Sequence, residues 1–362
     1  MLRTLEIENF RGFRKLTMHG LERVNLLVGT NNCGKTSVLE AIRFLGASGA
    51  PQVLIEMLDR RGEFVLREGR RQTNDEYDPT NLIYGREEGV TAKISSDTGT
   101  SETFATLSIE EERQASASRP LPFPGDDPDF VPSGLVFKIQ WSGEEPTAIP
   151  LSRNGGVSLR PLLRPRRDRN SEGATVMVTT DSLGRDAVVE LLESVALTEE
   201  QDRVVEALRQ IEPRILGIAS TSVERRRLSE TGRGGVIVKL GKDRPVPIGN
   251  LGDGMWRILA LALALVQAAN GVLLIDEIDT GLHHTVMDKM WKLVAATARR
   301  LNVQVFATTH SRDCYEGLAA IAQDSTGPAE ISIQRIERGR EGAIAYDSAE
   351  IRTAAARGIE VR

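Results

Sequence analysis

Residues 24–45, VNLLVGTNNCGKTSVLEAIRFL, contain the pattern that decides the fold. An apolar run leads into a glycine-rich segment that ends in Lys35 and Thr36, and apolar residues then recur at helical spacing. This order predicts a P-loop between a buried strand and a helix. Gly29 and Gly34 permit the backbone torsions that turn amide groups toward a phosphate, and the helix start near Lys35 adds its positive dipole. We therefore expect this segment to bind the phosphates of a nucleotide.

The residues of the P-loop have separate expected roles. Lys35 neutralises the β and γ phosphates, and the hydroxyl of Thr36 ligates Mg2+. The residues expected to contact the nucleotide here are Gly29, Asn31, Asn32, Cys33, Gly34, Lys35, Thr36 and Ser37. Cys33 either fills the loop as a small residue or serves as a thiol that responds to oxidation.

The composition is that of a soluble globular chain. The 362 residues are 40% apolar, which is enough for a substantial core in two or three packed units. The net charge of -5 excludes a positive field over the whole protein, so any nucleic acid must bind at a local patch. The two cysteines form no disulfide framework and fit a reducing cytosol, and no signal peptide opens the chain.

The longest uncharged stretch, residues 258–275, approaches the length of a membrane span. Gln267, Asn270 and Gly271 interrupt it. We therefore expect a buried helix, a turn and a buried strand, and no membrane segment.

Two acids follow a second apolar run, in the sequence VLLIDEID of residues 272–279. Four consecutive apolar residues predict a strand of a parallel sheet that is buried on both faces. Because ligands of open α/β sheets bind at the carboxyl ends of the strands, we expect Asp276 and Glu277 to face the P-loop. Asp276 then holds Mg2+, and Glu277 orients or deprotonates an attacking water. The alternative is that both acids are merely solvated.

The next apolar run, VQVFATT at residues 303–309, ends before His310. A histidine at the same sheet edge can hydrogen-bond a γ phosphate and so report whether that phosphate is present. His283 and His284 lack a partner at metal-ligand spacing, and we expect them at the surface.

A second phosphate-binding helix start is predicted at Leu251, Gly252, Asp253 and Gly254. These residues precede a strongly apolar helix pattern. Glycines at a helix start leave backbone amides free to bind an anion.

Arginines outside these motifs leave alternatives open. Arg11, in a predicted turn between the first two strands, either reaches the nucleotide or is solvated. Residues 90–180 contain short β-rich runs, ending in ATVMVTT, that predict an antiparallel insertion. Within them a cluster of basic residues either coats a solvated surface or binds a phosphate backbone; its members are Arg160, Arg164, Arg166, Arg167 and Arg169.

The chain resembles the ABC-type ATPase heads of the SMC, RecF and OLD families in five motifs. In order along the chain they are GTNNCGKT, LGDGM, VLLIDEID, the turn from Asp279 to Leu282, and TTHS. Within these families the chain is most similar to the small single-head OLD-like or RecF-like ATPases called AAA_15 or AAA_21. The stretches that carry this similarity are the opening IENFRGF, the LGDGM-x-R signature, IDEID-x-GLHH and the terminal GIEVR. The resemblance covers both ends of the chain and leaves the middle unmatched.

The resemblance implies an α/β fold, namely a P-loop NTPase with an ABC-type head, a mixed sheet flanked by helices, and a β-rich and helical insertion. The expected segments are 1–89 for the N-terminal part of the head, 90–234 for the insertion, 235–340 for the part with signature, Walker B strand and His310, and 341–362 for a C-terminal strand and helix.

The resemblance also implies ATP and Mg2+ as cofactors and a head-to-tail sandwich homodimer or a larger homo-oligomer. In such a dimer, the P-loop, Walker B acids and Asp279 of one subunit face residues 251–254 of the other across ATP. Gly252 stands where the ABC signature usually has serine, so a hydroxyl contact to the nucleotide is missing. We therefore expect slow hydrolysis.

Two functions are compatible with this resemblance. In the first, an ATP-gated dimer regulates a separate effector, such as a nuclease or toxin, in antiviral defence. In the second, a RecF-like ATPase binds DNA in repair or recombination. The segment after His310 is too short for the Toprim nuclease domain of OLD proteins, so we expect the output to be delivered by another polypeptide.

Overall fold

The computed structural model describes residues 1–65, 76–87, 89–112, 119–120, 131–158, 173–180, 182–221, 235–241, 244–324 and 330–359. The chain forms two compact units. Unit 1 comprises Met1–Gly20, Asn32–Ser171 and Ile336–Ile344, and unit 2 comprises Leu21–Asn31, Glu172–Arg335 and Ala345–Arg362.

Unit 1 is built on a seven-stranded sheet. In sheet order its strands are β2 (Phe13–Met18), β1 (Thr4–Phe10), β5 (Ala92–Asp97), β6 (Glu102–Glu111), β8 (Pro132–Trp141), β9 (Thr147–Ser152) and β7 (Arg119–Pro120). All neighbours are antiparallel except β7 and β9. Side chains alternate along β1, where Leu5 and Ile7 are buried and Glu6 is exposed, as expected for a sheet with one face against a core.

Shorter elements complete unit 1. A two-stranded pair joins β4 (Glu76–Tyr77) to β10 (Val157–Ser158). Helix α1 (Lys35–Gly46) contacts β5, β6 and helix α2 (Pro51–Arg60). The buried residues of α1 include Val38, Leu39, Ile42 and Leu45, so the apolar face predicted from the sequence is confirmed.

The pairing of β5 crosses the segment boundary predicted at residue 89. β5 pairs with β1, with Ile94 opposite Ile7, so strands on both sides of residue 89 share one sheet. The edge of β1 that does not bind β2 needs hydrogen-bond partners for its backbone, and β5 supplies them.

Unit 2 is built on a six-stranded sheet. In sheet order its strands are β11 (Thr175–Val178), β15 (Val272–Ile275), β16 (Gln304–Thr308), β3 (Val24–Val28), β17 (Ile331–Arg335) and β18 (Ile344–Tyr346). The pairings from β11 through β17 are parallel. The prediction that ATVMVTT belongs to the antiparallel insertion is wrong, because β11 pairs parallel with β15. Its buried Val176 and Val178 join the core of unit 2, a long-range contact that the local pattern does not specify.

Helices surround this sheet, together with a small three-stranded sheet of β12 (Ile215–Ser220), β13 (Val236–Leu240) and β14 (Val246–Pro247). The helices are α3 (Arg185–Ser194), α4 (Glu199–Arg209), α5 (Asp253–Gln267), α6 (Met287–Arg300), α7 (Arg312–Asp324) and α8 (Ser348–Ala356). Residues 255–265 of α5 are all buried, and α5 contacts α3, α4, α6 and β11.

The uncharged stretch of residues 258–275 forms the end of α5, a turn and β15, as predicted. In the described part of the chain, no helix combines the length and the apolar character that crossing a bilayer requires.

Candidate active site

The P-loop connects β3 directly to α1. All five residues of β3 are buried, and α1 begins at Lys35 immediately after Gly34. The loop contains positive φ angles at Gly29 (142°), Asn32 (60°) and Gly34 (101°). Such torsions let successive amide groups point toward one anion. The strand, loop and helix predicted from the sequence are therefore present, with residues 29–31 in unit 2 and residues 32–37 in unit 1.

The second half of the loop is closely packed. The Phe13 ring occupies the space that a Cβ atom on Gly34 would need. The side chain of Lys35 is buried, and its Nζ lies 3.8 Å from Sγ of the buried Cys33. The P-loop lysine is thus held among protein groups.

The ends of three parallel strands lie at one edge of the unit 2 sheet. β15 pairs with β16, and β16 pairs with β3. Because all three run in the same direction, Asp276 after β15, Thr309 after β16 and Gly29 after β3 follow the carboxyl ends at the same edge. The motifs that are distant in sequence therefore meet as the sheet rule predicts.

Asp276 is buried, so it is not the solvated acid of the alternative interpretation. Its Oδ1 accepts a hydrogen bond from Oγ1 of Thr308 at 2.8 Å. The same Thr308 oxygen accepts the backbone N–H of Glu277 at 2.8 Å. Thr308, which sequence reasoning missed, thereby connects both acids to the neighbouring strand.

Glu277 is partly buried and has a φ of 48°, in the left-handed region that residues with side chains rarely adopt. Its Oε2 accepts a hydrogen bond from Thr280 Oγ1 at 3.1 Å. Backbone strain of this kind concentrates at functional sites, where it sets the direction of a side chain.

The turn after the Walker B acids is connected to the end of β16. Oγ1 of Thr309 donates to Oδ1 of Asp279 at 2.6 Å and accepts from the backbone N–H of Ser311 at 2.9 Å. His310 follows Thr309 and is exposed at this edge. Burial raises the pKa of the Cys314 thiol to about 12, and the Asp279 carboxylate acts in the same direction, so this thiol is protonated at neutral pH.

The signature residues form the start of α5. Leu251 ends a short 3-10 helix, and Gly252 precedes α5 with a φ of 87° and has no side chain that could cap the first amides of α5. A Cβ atom on Gly254 would lie 3.1 Å from the carbonyl oxygen of Gly281. The uncapped helix start fits an anion, and it packs directly on the turn from Asp279 to Leu282.

Unit 1 contains a cleft of about 460 Å³ next to the P-loop. Its lining includes residues 32–34, Ser37 and four arginines, which are Arg11, Arg61, Arg86 and Arg338. Of these, sequence reasoning had named only Arg11 for the site. Arg61 Nη2 donates to Ser37 Oγ at 3.2 Å, so the cleft is connected to the start of α1.

Arg11 is buried, with 7% of its surface exposed, so the solvated alternative is wrong. Its Nε donates to Glu40 Oε2 at 3.1 Å, and its Nη1 donates to Glu63 Oε1 at 2.7 Å. Its Nη2 is buried without a hydrogen-bond partner among the described residues. Glu40 could have been recognised in the sequence as a residue that needs a buried partner, because it is an acid on the otherwise apolar face of α1.

The residues of each unit have the chemistry that a nucleotide with Mg2+ requires. In unit 1 the buried Nη2 of Arg11 offers a donor to an anion, and in unit 2 the start of α5 offers backbone amides. Thr36 in unit 1 and Asp276 in unit 2 each carry the kind of oxygen atom through which proteins bind Mg2+. The predicted arginine cluster of residues 160–169 lies outside the described residues.

Comparisons with known proteins agree with these motifs. The family model AAA_21, described as "AAA domain, putative AbiEii toxin, Type IV TA system", matches residues 24–313. An ATP/GTP phosphatase of Helicobacter pylori is 22% identical over 90% of this chain and 89% of its own length. The DNA replication and repair protein RecF of Shewanella woodyi is 51% identical over 45 residues, 12% of each chain. The SMC head domain from Thermotoga maritima covers 96% of this chain and 98% of its own, with a TM-score of 0.45 and 13% identity.

The match to the family model extends from β3 into α7, well over half of the chain, and includes the P-loop, the signature and the Walker B acids. The chain therefore belongs to the AAA_21 family.

Proposed function

We propose that this ATPase binds ATP with Mg2+, hydrolyses it slowly, and works as a nucleotide-gated dimer or larger assembly that regulates a separate effector in antiviral defence. The observation that carries the proposal is the shared edge of the unit 2 sheet, where Gly29, Asp276 and Thr309 follow three adjacent parallel strands.

In this proposal each site residue has one task. The P-loop amides and Lys35 bind the phosphates, and Thr36 and Asp276 hold Mg2+, which neutralises charge on the transferred phosphoryl group. Glu277 orients or deprotonates the attacking water, and His310 contacts the γ phosphate. Arg11 lines the unit 1 cleft, and its buried Nη2 donates a hydrogen bond to the nucleotide.

Dimerisation follows from the number of motifs per chain. One P-loop and one signature require a second copy to complete a composite site, and a two-fold axis then creates two equivalent sites. Residues 251–254 contact the nucleotide of the partner, and Asp279 faces the same interface. The uncapped start of α5 supports this assignment.

Slow turnover follows from Gly252. A serine hydroxyl at that position would add one donor to the developing charge, and losing such a donor commonly costs about 3 kcal/mol of transition-state stabilisation. Backbone amides at the start of α5 remain as donors.

The family description names a putative AbiEii toxin and a type IV toxin–antitoxin system, which supports a role within such a system. A nuclease or toxin held and released by the ATP-dependent assembly fits that description. ATP then shifts the population between two arrangements that differ in affinity for this partner.

The local identity to RecF favours a second candidate, a DNA-binding ATPase in repair or recombination. If Arg164, Arg166 and Arg167 bind phosphates, affinity for duplex DNA falls steeply with added salt and depends little on sequence. Absence of binding in the presence of ATP would exclude this candidate.

The first prediction tests hydrolysis with Glu277→Gln, Lys35→Ala and the control Glu206→Gln, which changes an exposed glutamate of α4. We expect Glu277→Gln to bind ATP and to hydrolyse it about 100- to 1,000-fold more slowly, because the water loses its base. Lys35→Ala should lose ATP binding, and the control should match wild type. Phosphate release and ATP titration measure both quantities. Equal turnover in wild type and Glu277→Gln would refute the assignment.

A further inference from the structure

Arg257 lies one turn after the signature on α5, and its side chain is buried, with 3% of the residue exposed. The guanidinium donates to three backbone carbonyls at the ends of two strands. Nη1 donates to Thr179 O at 2.6 Å, and Nη2 donates to Asp276 O at 2.9 Å and to Glu277 O at 2.8 Å. One side chain therefore joins α5 to the carboxyl ends of β11 and β15.

These contacts determine the backbone on both sides of the catalytic glutamate. The N–H of Glu277 donates to Thr308 Oγ1, and its C=O accepts from Arg257. Glu277 adopts a left-handed backbone conformation, with a φ of 48°, that surrounding contacts must maintain. Because the N–H and the C=O are both bound, the Cα–Cβ direction of Glu277 depends on where Arg257 lies.

A second contact connects the same two segments. A Cβ atom on Gly254 would approach the carbonyl oxygen of Gly281 at 3.1 Å, and Asp253 Cβ lies 3.6 Å from where a Cβ of Gly281 would be. The signature and the turn after Glu277 are thus in direct contact, so a displacement of the start of α5 changes the surroundings of Glu277.

The chemistry of Arg257 fits positioning better than packing alone. α5 is otherwise buried among apolar side chains, and burying a guanidinium there costs desolvation that an apolar residue would avoid. The planar guanidinium can reach several carbonyl acceptors in different directions, which a lysine ammonium on its single flexible stem does less well.

We propose that Arg257 is a positioning residue that aligns Glu277 of its own chain and couples that alignment to the signature on the same helix. This inference rests on the proposed dimer. Engagement of one chain's signature by the nucleotide of its partner then aligns Glu277 in the other composite site, so the two sites of the dimer are coupled through α5.

The first test compares Arg257→Lys and Arg257→Gln with the matched control Arg209→Lys. Arg209 also donates to backbone carbonyls, those of Ile215 and Leu216 at 2.6 and 3.2 Å, but it joins α4 to β12. We expect both Arg257 variants to lower kcat about 10- to 100-fold while the Kd for ATP changes less than about 2-fold, since small misplacement of a catalytic group affects chemistry more than binding. The control should retain wild-type kcat. Unchanged kcat in either Arg257 variant, or an equal loss of kcat and ATP affinity, would overturn the proposal.

The second test uses mixed dimers assembled from differently tagged chains. In the first pairing, one chain carries Glu277→Gln and the other carries Arg257→Lys; in the second, one chain carries both substitutions and its partner is wild type. If Arg257 serves its own chain, the first pairing has no site with an aligned glutamate and is nearly inactive. The second pairing has one intact site and retains about half of wild-type turnover, because its two sites are equivalent.

The reverse order of activities would show that Arg257 acts on the partner's site and would overturn the proposal. Equal activities of the two pairings would also overturn it, because they indicate a general effect on structure. If wild type itself fails to hydrolyse ATP, the proposed function fails, whereas a normal wild type with a normal Arg257→Lys chain refutes only the role of Arg257.

Discussion

At the scale of a single residue, Gly34 meets two requirements together. Its φ of 101° lies in a region that only glycine adopts without strain, and the Phe13 ring fills the volume beside its Cα. Phe13 itself is buried in unit 1. The P-loop therefore depends on the absence of a side chain at this position for its torsion and for its packing.

The prediction at this scale is that Gly34→Ala lowers the free energy of unfolding by about 2–5 kcal/mol, the sum of left-handed strain and overpacking against Phe13. ATP affinity should fall as well, since the loop must shift. Urea unfolding and ATP titration measure these changes. Gly12→Ala is the control, because its Cβ would meet nothing within 4 Å and should change stability little. Wild-type stability in Gly34→Ala would contradict the packing argument.

At the scale of elements, an ion pair joins α4 to α6. Both carboxylate oxygens of Glu200 accept from Arg300, at 2.6 and 2.8 Å, and Arg203 adds a contact within α4. The hydrogen bonds from Arg300 lower the pKa of Glu200 below its ordinary value of 4.5. The charged pair therefore stabilises the fold above that pH, and its contribution is lost as the pH falls through the lowered pKa.

We predict that Glu200→Gln reduces the free energy of unfolding at pH 7 by about 0.3–1 kcal/mol, the range for partly exposed pairs. The difference from wild type should vanish in acid, once Glu200 of the wild type is also neutral. Thermal unfolding at a series of pH values measures it, with Glu206→Gln on the same helix as the control. If the difference in stability persists unchanged in acid, its cause is the shape of the substituted side chain and not the loss of charge, which would contradict the prediction.

At the scale of the whole molecule, the proposed composite sites require a second chain. We predict that Glu277→Gln is monomeric without nucleotide and doubles in mass with ATP and Mg2+, because it retains bound ATP that joins the P-loop of one chain to the signature of the other. Light scattering measures the mass. Lys35→Ala should remain monomeric under both conditions.

A monomer of Glu277→Gln under both conditions would contradict the dimer. An oligomer that forms without nucleotide would contradict the gating by ATP and leave the composite site in place.

Much of the fold and site could be predicted from the sequence because the signals are local. Strand β3, the glycines of the P-loop and the apolar face of α1 depend on torsions and side-chain spacing within about twenty residues. The convergence of Gly29, Asp276 and Thr309 follows from one topological rule for parallel sheets, without knowledge of particular contacts.

The sequence by itself thus determined the P-loop, the Walker B strand and the helix that follows the signature, since short-range sterics and burial specify each of them. Only the tertiary structure decided that β11 pairs parallel with β15, that β5 extends the sheet of β1, and that Arg11 binds Glu40 and Glu63. It also decided that Arg257 reaches Thr179, Asp276 and Glu277. A buried arginine needs hydrogen-bond acceptors, but the neighbouring sequence does not specify which groups these are. Its partners depend on which distant backbone segments the folded core brings within hydrogen-bond distance.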